Sequence, residues 1–449
     1  MGGQRMYSTE NVNAKFWKFA LPSMLGQLLN SLFIIVDGFF IGQNLGDNGL
    51  AAINVAWPIV ALIQAVSMAI GTGSAVQMAI YIGKGDMEAT MKTRAHGILL
   101  LVLATIFIGF LFYFTYPVVL PLLGANETIY QMTADYIRVI CITAACQVFI
   151  IGVMPLLRSA GRAMTAMFLT ILGLIGNIFM DWLFIQVFQW GIRGAATATA
   201  CSQGICAFIG LFFLIFRKGW PLHLRHFKLE GIRVARIFHY GLSPFGLTIS
   251  ISILILMNNL QAIRYGGTRA VAVYAVLSYT LGSVLPLVSG VGEGIQPLFG
   301  NAYGARDFKA IHHLRRNGYL LAVGTACFCS VLCFFLKNQI PLLFGTSPEA
   351  AAEGAGAMWT LVLGFPFMAV VRFTCSYFCA LAMPLESSIL AYGEPLLAQP
   401  LFLFLLPLFL KLNGVWIAYP VAVILMAGIA AMLTFRHRKQ LHLDEAYYL

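Results

Sequence analysis

The chain has 449 residues, of which 60% are hydrophobic and only 10% charged, and its mean hydropathy is +0.84. Soluble domains carry about 25% charged residues, so a soluble enzyme or binding module is excluded and a polytopic α-helical membrane protein is expected. The net charge of +11 is no nucleic-acid signal, because the basic residues sort by side of the membrane.

A bilayer-spanning helix needs about 20 apolar residues. On that criterion residues 1–15 form a polar tail. About twelve spans follow near 16–41, 50–82, 97–117, 132–156, 164–188, 194–216, 237–263, 270–303, 316–337, 355–382, 388–410 and 414–435. Spans one to six make an N-lobe, 16–216, and spans seven to twelve a C-lobe, 237–436. A basic linker, 217–236, joins them, and a tail, 437–449, closes the chain. On this map 21 of the 28 Lys and Arg, among them Arg5, Arg217, Lys218 and Lys439, fall on one side and only five on the other, while Arg138 and Arg372 lie within spans. The positive-inside rule puts the basic side, with both termini and the linker, in the cytoplasm. No small-residue cleavage site follows the first apolar run, so that run is expected to be its own insertion signal.

The two halves are copies. Gly71, Gly73, Gly83 and Asp86 fall on Gly292, Gly294, Gly304 and Asp307 with a constant offset of 221 and no gap. The offset extends to Leu21 with Leu242, Ser31 with Ser252, Arg94 with Arg315 and Gly97 with Gly318. Six spans per copy is an even number, so the lobes share one orientation and are expected to be related by a pseudo-twofold along the membrane normal, the parallel-repeat class of transporter.

An ionisable group at bilayer depth costs roughly 2.5–3.5 kcal/mol or more, so each asks for a reason. Asp37 lies well inside span one, and Asn177 and Asp181 share a face of span five at i, i+4 spacing. If spans one and five meet, two carboxylates and an amide form one pocket. That pocket suits a hard cation with oxygen ligands or proton carriage, since two close carboxylates in low dielectric do not both ionise easily. Thr197 and Thr199 in span six could add hydroxyl oxygens. The plainer alternative is that the acids only hold helices together. Glu293 replaces Thr72 of the first copy, and Asn258 is the mate of Asp37, so an ion site belongs to the first half alone. Glu293 either faces a cationic substrate in the central cleft or partners Arg372 or a backbone group, and Glu394 in span eleven carries the same ambiguity. Asp135 and Arg138 read as a structural ion pair. Pro22, Pro155, Pro297 and Pro366 are candidate kinks.

The nine cysteines sit in apolar segments without CxxC or Cys/His spacing and read as packing thiols. No P-loop occurs, so no ATP site is expected, and there is neither a nucleophile elbow nor a zincin motif. Active transport would then run on an ion gradient.

Leu21-Pro22, Asp37, Asn177 with Asp181, Gly292-Glu293-Gly294-Ile295-Gln296-Pro297 and Gly300–Asp307 together resemble the multidrug and toxic compound extrusion (MATE) family, over essentially all of 15–436. Glu293 and the Gln-Pro that follows are similar to its Gram-positive drug-pump branch. The resemblance implies an all-α membrane protein of twelve helices in two lobes. It implies antiport of small cationic, amphipathic drugs against Na+ or H+ by alternating access, with no other cofactor, nucleic acid or ATP, in a monomer of the cell membrane. By resemblance, Asp37, Asn177, Asp181 and Thr199 match the cation or protonation site, with Asp37, Asn177 and Asp181 as ligands if the ion is Na+. Glu293, Gln296, Asn258 and Glu394 are the cleft candidates. Some members carry acids in spans seven and ten, where this chain has Asn258, Asn259, Gln261 and Arg372, so a second-lobe ion site of that type is not expected. The rival reading is a flippase of the same superfamily for a lipid-linked or polyanionic cargo. That cargo asks for several arginines at membrane depth, and only Arg138 and Arg372 are candidates. A channel, a receptor or an intramembrane enzyme finds no motif.

Overall fold

The computed structural model describes residues 9–125, 127–216, 221–343 and 348–438, and among these there is no strand. Arg5, Arg217, Lys218 and Lys439 of the basic set, with residues 1–8 and 439–449 of the two tails, lie outside the described residues. Ten helices are long and apolar enough to cross a membrane, or eleven when one bent pair counts as a span, among the described residues.

The first element, α1 (Thr9–Gly83), holds 75 residues. At 1.5 Å per residue it would run about 110 Å if straight, several times a hydrocarbon core of about 30 Å, so it carries both of the first two predicted spans. Its copy α7 (Gly231–Gly304) does the same and breaks at Gly267, whose φ of 67° and ψ of −159° are open to glycine. Between them run α2 (Met87–Leu122), α3 (Glu127–Ile142), α4 (Ala144–Ser159), α5 (Ala163–Asp181) and α6 (Gly191–Ile215). After α7 come α8 (Phe308–Phe335), α9 (Gln339–Leu343), α10 (Pro348–Ala380), α11 (Pro384–Tyr392), α12 (Gln399–Leu410) and α13 (Leu412–Arg436).

The end of the repeated glycine signature is a capping turn. Asp86 accepts from the Ala89 amide at 2.9 Å and Asp307 from the Ala310 amide at 3.0 Å, so each copy caps its next helix in the same way. The residue before each cap is left-handed: Gly85 at φ 75° and Arg306 at φ 55°. A second matched pair, Gly161 at φ 79° and Ala382 at φ 57°, follows the same offset.

Three departures from a plain helical span were not foreseen. The fourth predicted span is broken, with α3 and α4 bent by 59°. The break falls at Thr143, whose hydroxyl donates to the Val139 carbonyl at 2.7 Å, rather than at Pro155, which lies inside α4. Two π turns, Trp182–Val187 after α5 and Gly393–Ala398 after α11, interrupt spans five and eleven. In the second, Pro395 and the following Pro400 lack amide hydrogens, which loosens the regular i to i−4 ladder there.

The chain forms two compact units. One is Leu25–Thr248, with a core that runs from Ala52 through Ile63, Leu101, Ile137, Val148 and Leu156 to Ile237. The other joins the described residues up to Met24 with those from Ile249 onward. The start of α1 therefore belongs with the second copy, and the start of α7 with the first. Repeat-matched glycines make this possible. A Cβ on Gly73 would collide with the backbone of Ile237, and one on Gly294 would come within 2.7 Å of the Phe19 carbonyl oxygen and of Ser23. In the second unit α10 packs against α8 and α13; in the first, α6 packs against α3, α4 and α5.

Candidate cation-binding site

The first unit gathers the intramembrane acids. Asn177 and Asp181 at the end of α5 are fully buried, one turn apart, where α5 packs on α6. Asp37 on α1 is half-buried. Asp37 and Asp181 stand within electrostatic reach of each other, and Tyr136 on α3 within reach of both. Tyr136 is buried. It was missed in the sequence because a tyrosine beside the Asp135–Arg138 pair carries no charge or spacing signal of its own.

The buried polar atoms here are unsatisfied. Asp37 Oδ1, Asn177 Oδ1 and Nδ2, and both carboxylate oxygens of Asp181 are buried without a hydrogen-bond partner. Each such group costs about 1–3 kcal/mol, so five in one neighbourhood is a large penalty unless a ligand completes them. Four of the five are oxygens of the hard type that Na+ takes, and the same carboxylates can take a proton, so the donor set fits either ion. Among the described residues no group of three or more His, Cys, Asp and Glu is placed to hold a metal ion. Thr199 on α6 is buried and lies beside Thr143 and Gln147. Thr197 is half-buried and donates to the Arg193 carbonyl at 2.7 Å. The Asp135–Arg138 pair is present at 3.6 Å, and Arg193 joins it at 2.9 Å.

The second unit holds its acid differently. Glu394 lies in the Gly393–Ala398 π turn, and its Oε2 meets Arg372 of α10 at 3.3 Å, with side-chain exposures of 2% and 10%. Arg372 is thus paired to Glu394, which answers the open question about its partner. The hydroxyl of Tyr419 on α13 is buried with no hydrogen bond, within electrostatic reach of both. The other cleft candidates are engaged separately. Asn258 is buried and donates to its own helix at Leu254 O, 2.8 Å away. Gln296 is buried in hydrogen-bond contact with Cys379, and Glu293 is half-buried. All nine cysteines are free thiols.

Comparison with known proteins agrees with this architecture. The MatE family model matches residues 22–183 and 245–389, once in each copy. "Multidrug export protein MepA" of Staphylococcus haemolyticus is 25% identical over 446 residues, covering 95% of this chain and 94% of its own. "Probable multidrug resistance protein YpnP" of Bacillus subtilis is 24% identical over 369 residues, 81% of each chain. Among solved structures, a MATE protein in the straight conformation superposes with a TM-score of 0.91 at 23% identity, covering 96% of this chain and 97% of its own. Another, in complex with MaL6, gives 0.89 at 24% identity, covering 96% and 98%. At such identities the structures speak to the fold, twelve helices in an all-α membrane protein. The chain belongs to the MatE family: it is a membrane transporter and not an enzyme.

Proposed function

We propose that the protein is a secondary active multidrug efflux antiporter of the plasma membrane. It exports cationic amphipathic compounds in exchange for Na+ or H+ by alternating access, as a monomer and without ATP. The observation that carries this reading is the set of five unpartnered buried atoms on Asp37, Asn177 and Asp181, which asks for a small cation. The names of the relatives, multidrug export and multidrug resistance proteins, support the cargo class. The excess of Lys and Arg on one face supports termini on the cytoplasmic side.

In this reading the coupling ion enters from outside and binds between Asp37 and Asp181, offsetting one of their two negative charges, with Asn177 and Thr199 supplying neutral oxygens. Its release into the cytoplasm leaves that acid pair uncompensated and resets the site. Drug and ion must favour different conformations or compete for the same charge, or no coupling arises. Glu293 is the carboxylate offered to the drug, with Gln296 and Asn258 as polar neighbours. Glu394 joins them only when Arg372 gives it up.

The test is efflux of a fluorescent cationic dye from cells making wild type or Asp37→Asn, with the sodium and proton gradients collapsed in turn. Export that stops when one gradient is collapsed, and is lost in the variant, supports the antiporter and names its ion. Absence of export from well-expressed wild type would sink the reading.

A further inference from the structure

Among the described residues, the start of α7 is fastened to the first unit by a histidine whose two nitrogens are both committed. His96 of α2 meets the Lys92 carbonyl with Nδ1 at 2.7 Å and the Glu230 amide with Nε2 at 2.9 Å. A carbonyl only accepts and an amide N–H only donates, so Nδ1 carries the hydrogen and Nε2 is bare. The fastening requires neutral His96. A proton on Nε2 would set one N–H against another.

The charges around it are accounted for. From α2, Lys92 Nζ meets Glu230 Oε1 at 2.9 Å. From α7, Arg233 meets Glu230 Oε2 at 3.0 Å and reaches Thr93 Oγ1 at 2.8 Å and Ala89 O at 3.3 Å. The hydrogen bond from Lys92, then those from Arg233, hold Glu230 below the usual carboxylate range. That single carboxylate is already shared by two cations, which leaves His96 among positive charge.

A second histidine backs the first. His226 lies in the 3-10 turn Leu224–Phe227, which packs on α2. It is fully buried, and its Nδ1 accepts the His223 amide at 3.1 Å. Its Nε2 faces Glu88 at 3.4 Å, and Arg225 meets the same carboxylate at 3.5 Å. Burial pushes His226 below the ordinary histidine value. The sign follows. A histidine that titrates lower when docked than when released holds the docked form fully above the released value of about 6.5, and loses that hold as pH falls through it.

The other copy shows why this is not a generic feature of the fold. Adding the offset of 221 turns Lys92 into His313 and His96 into Asn317, and these two hold the start of α1. Asn317 Nδ2 donates to Asn13 Oδ1 at 2.8 Å, and His313 Nε2 lies 2.8 Å from the same oxygen. An amide oxygen accepts, so His313 already donates through Nε2, and protonation adds a hydrogen at Nδ1 without touching that bond. One fastening breaks in acid; its copy does not.

We propose that residues 221–236 are held by an acid-released tether: proton uptake at His96, backed by His226, unfastens this segment from α2, while the start of α1 stays fastened in the second unit. The test is amide hydrogen exchange on the purified full-length protein at about pH 7.5 and about pH 5.5, corrected for intrinsic exchange. Exchange across 221–236 is expected to rise roughly tenfold in acid, the loss of one or two hydrogen bonds, with 9–24 unchanged. His96→Asn, which gives the first fastening the side chain of the second, should flatten the rise. No rise at 221–236, or an equal rise at 9–24, overturns the tether. So does a rise that survives His96→Asn and disappears in His226→Gln. The wild-type comparison stands even if a variant fails to fold, and none of these outcomes depends on transport.

Discussion

The two copies bury acids in opposite ways. In the first unit Asp37 and Asp181 share a neighbourhood with an amide and, among the described residues, no cation. In the second, Glu394 has Arg372 beside it. A buried charge with a built-in partner is complete by itself; two acids without one are complete only when something positive arrives. Duplication thus produced one unit whose acids lack a built-in counter-charge and one that supplies its own, although both place the acid at or in a π turn.

That contrast can be broken by substitution. Asp181→Asn is expected to abolish gradient-driven dye export while leaving the thermal midpoint in detergent unchanged or higher, since it removes half of an uncompensated pair. A variant that keeps coupled export would end the contrast. Glu394→Gln should behave the other way and lower stability by roughly 3–5 kcal/mol, because Arg372 is left buried without a counter-charge. Thermal unfolding reads this, and Arg372→Gln with Glu394→Gln should recover part of the loss. Gly294→Ala tests the close approach to Phe19 and should cost about 1–3 kcal/mol, again by thermal unfolding. The smallest effect has the opposite sign. Ala382→Gly puts into the second copy the residue the first uses at the matched left-handed position and should stabilise by about 1 kcal/mol. A destabilised variant would mean that the methyl group packs better than the backbone suffers.

Much of the fold was legible because its signals are local. Apolar runs mark spans, and the 221 offset of Gly71, Gly73 and Asp86 marks the duplication and its caps. Asp37, Asn177 and Asp181 stood out because charge at membrane depth is rare. Other features depend on tertiary neighbours and leave no such trace. The bend at Thr143 arises at an ordinary threonine, while Pro155 stays helical. Tyr136 matters only through what α3 faces. The partner of Arg372 was undecidable between Glu293 and Glu394, because sequence distance does not say which helices meet. The role of His96 was hidden for the same reason, since its partner lies 134 residues away.

The crossed placement of the first helix starts has a consequence for how such a chain is assembled. The described residues up to Met24 complete the second unit, and the start of α7 completes the first. Reciprocal exchange of an identical element between two copies is the definition of a domain swap. The protein therefore has the form of a swapped dimer whose subunits were fused end to end. A fragment ending in the linker would carry an arm with nothing to receive it and a socket with nothing in it, so during synthesis the first half waits for the second before either is whole.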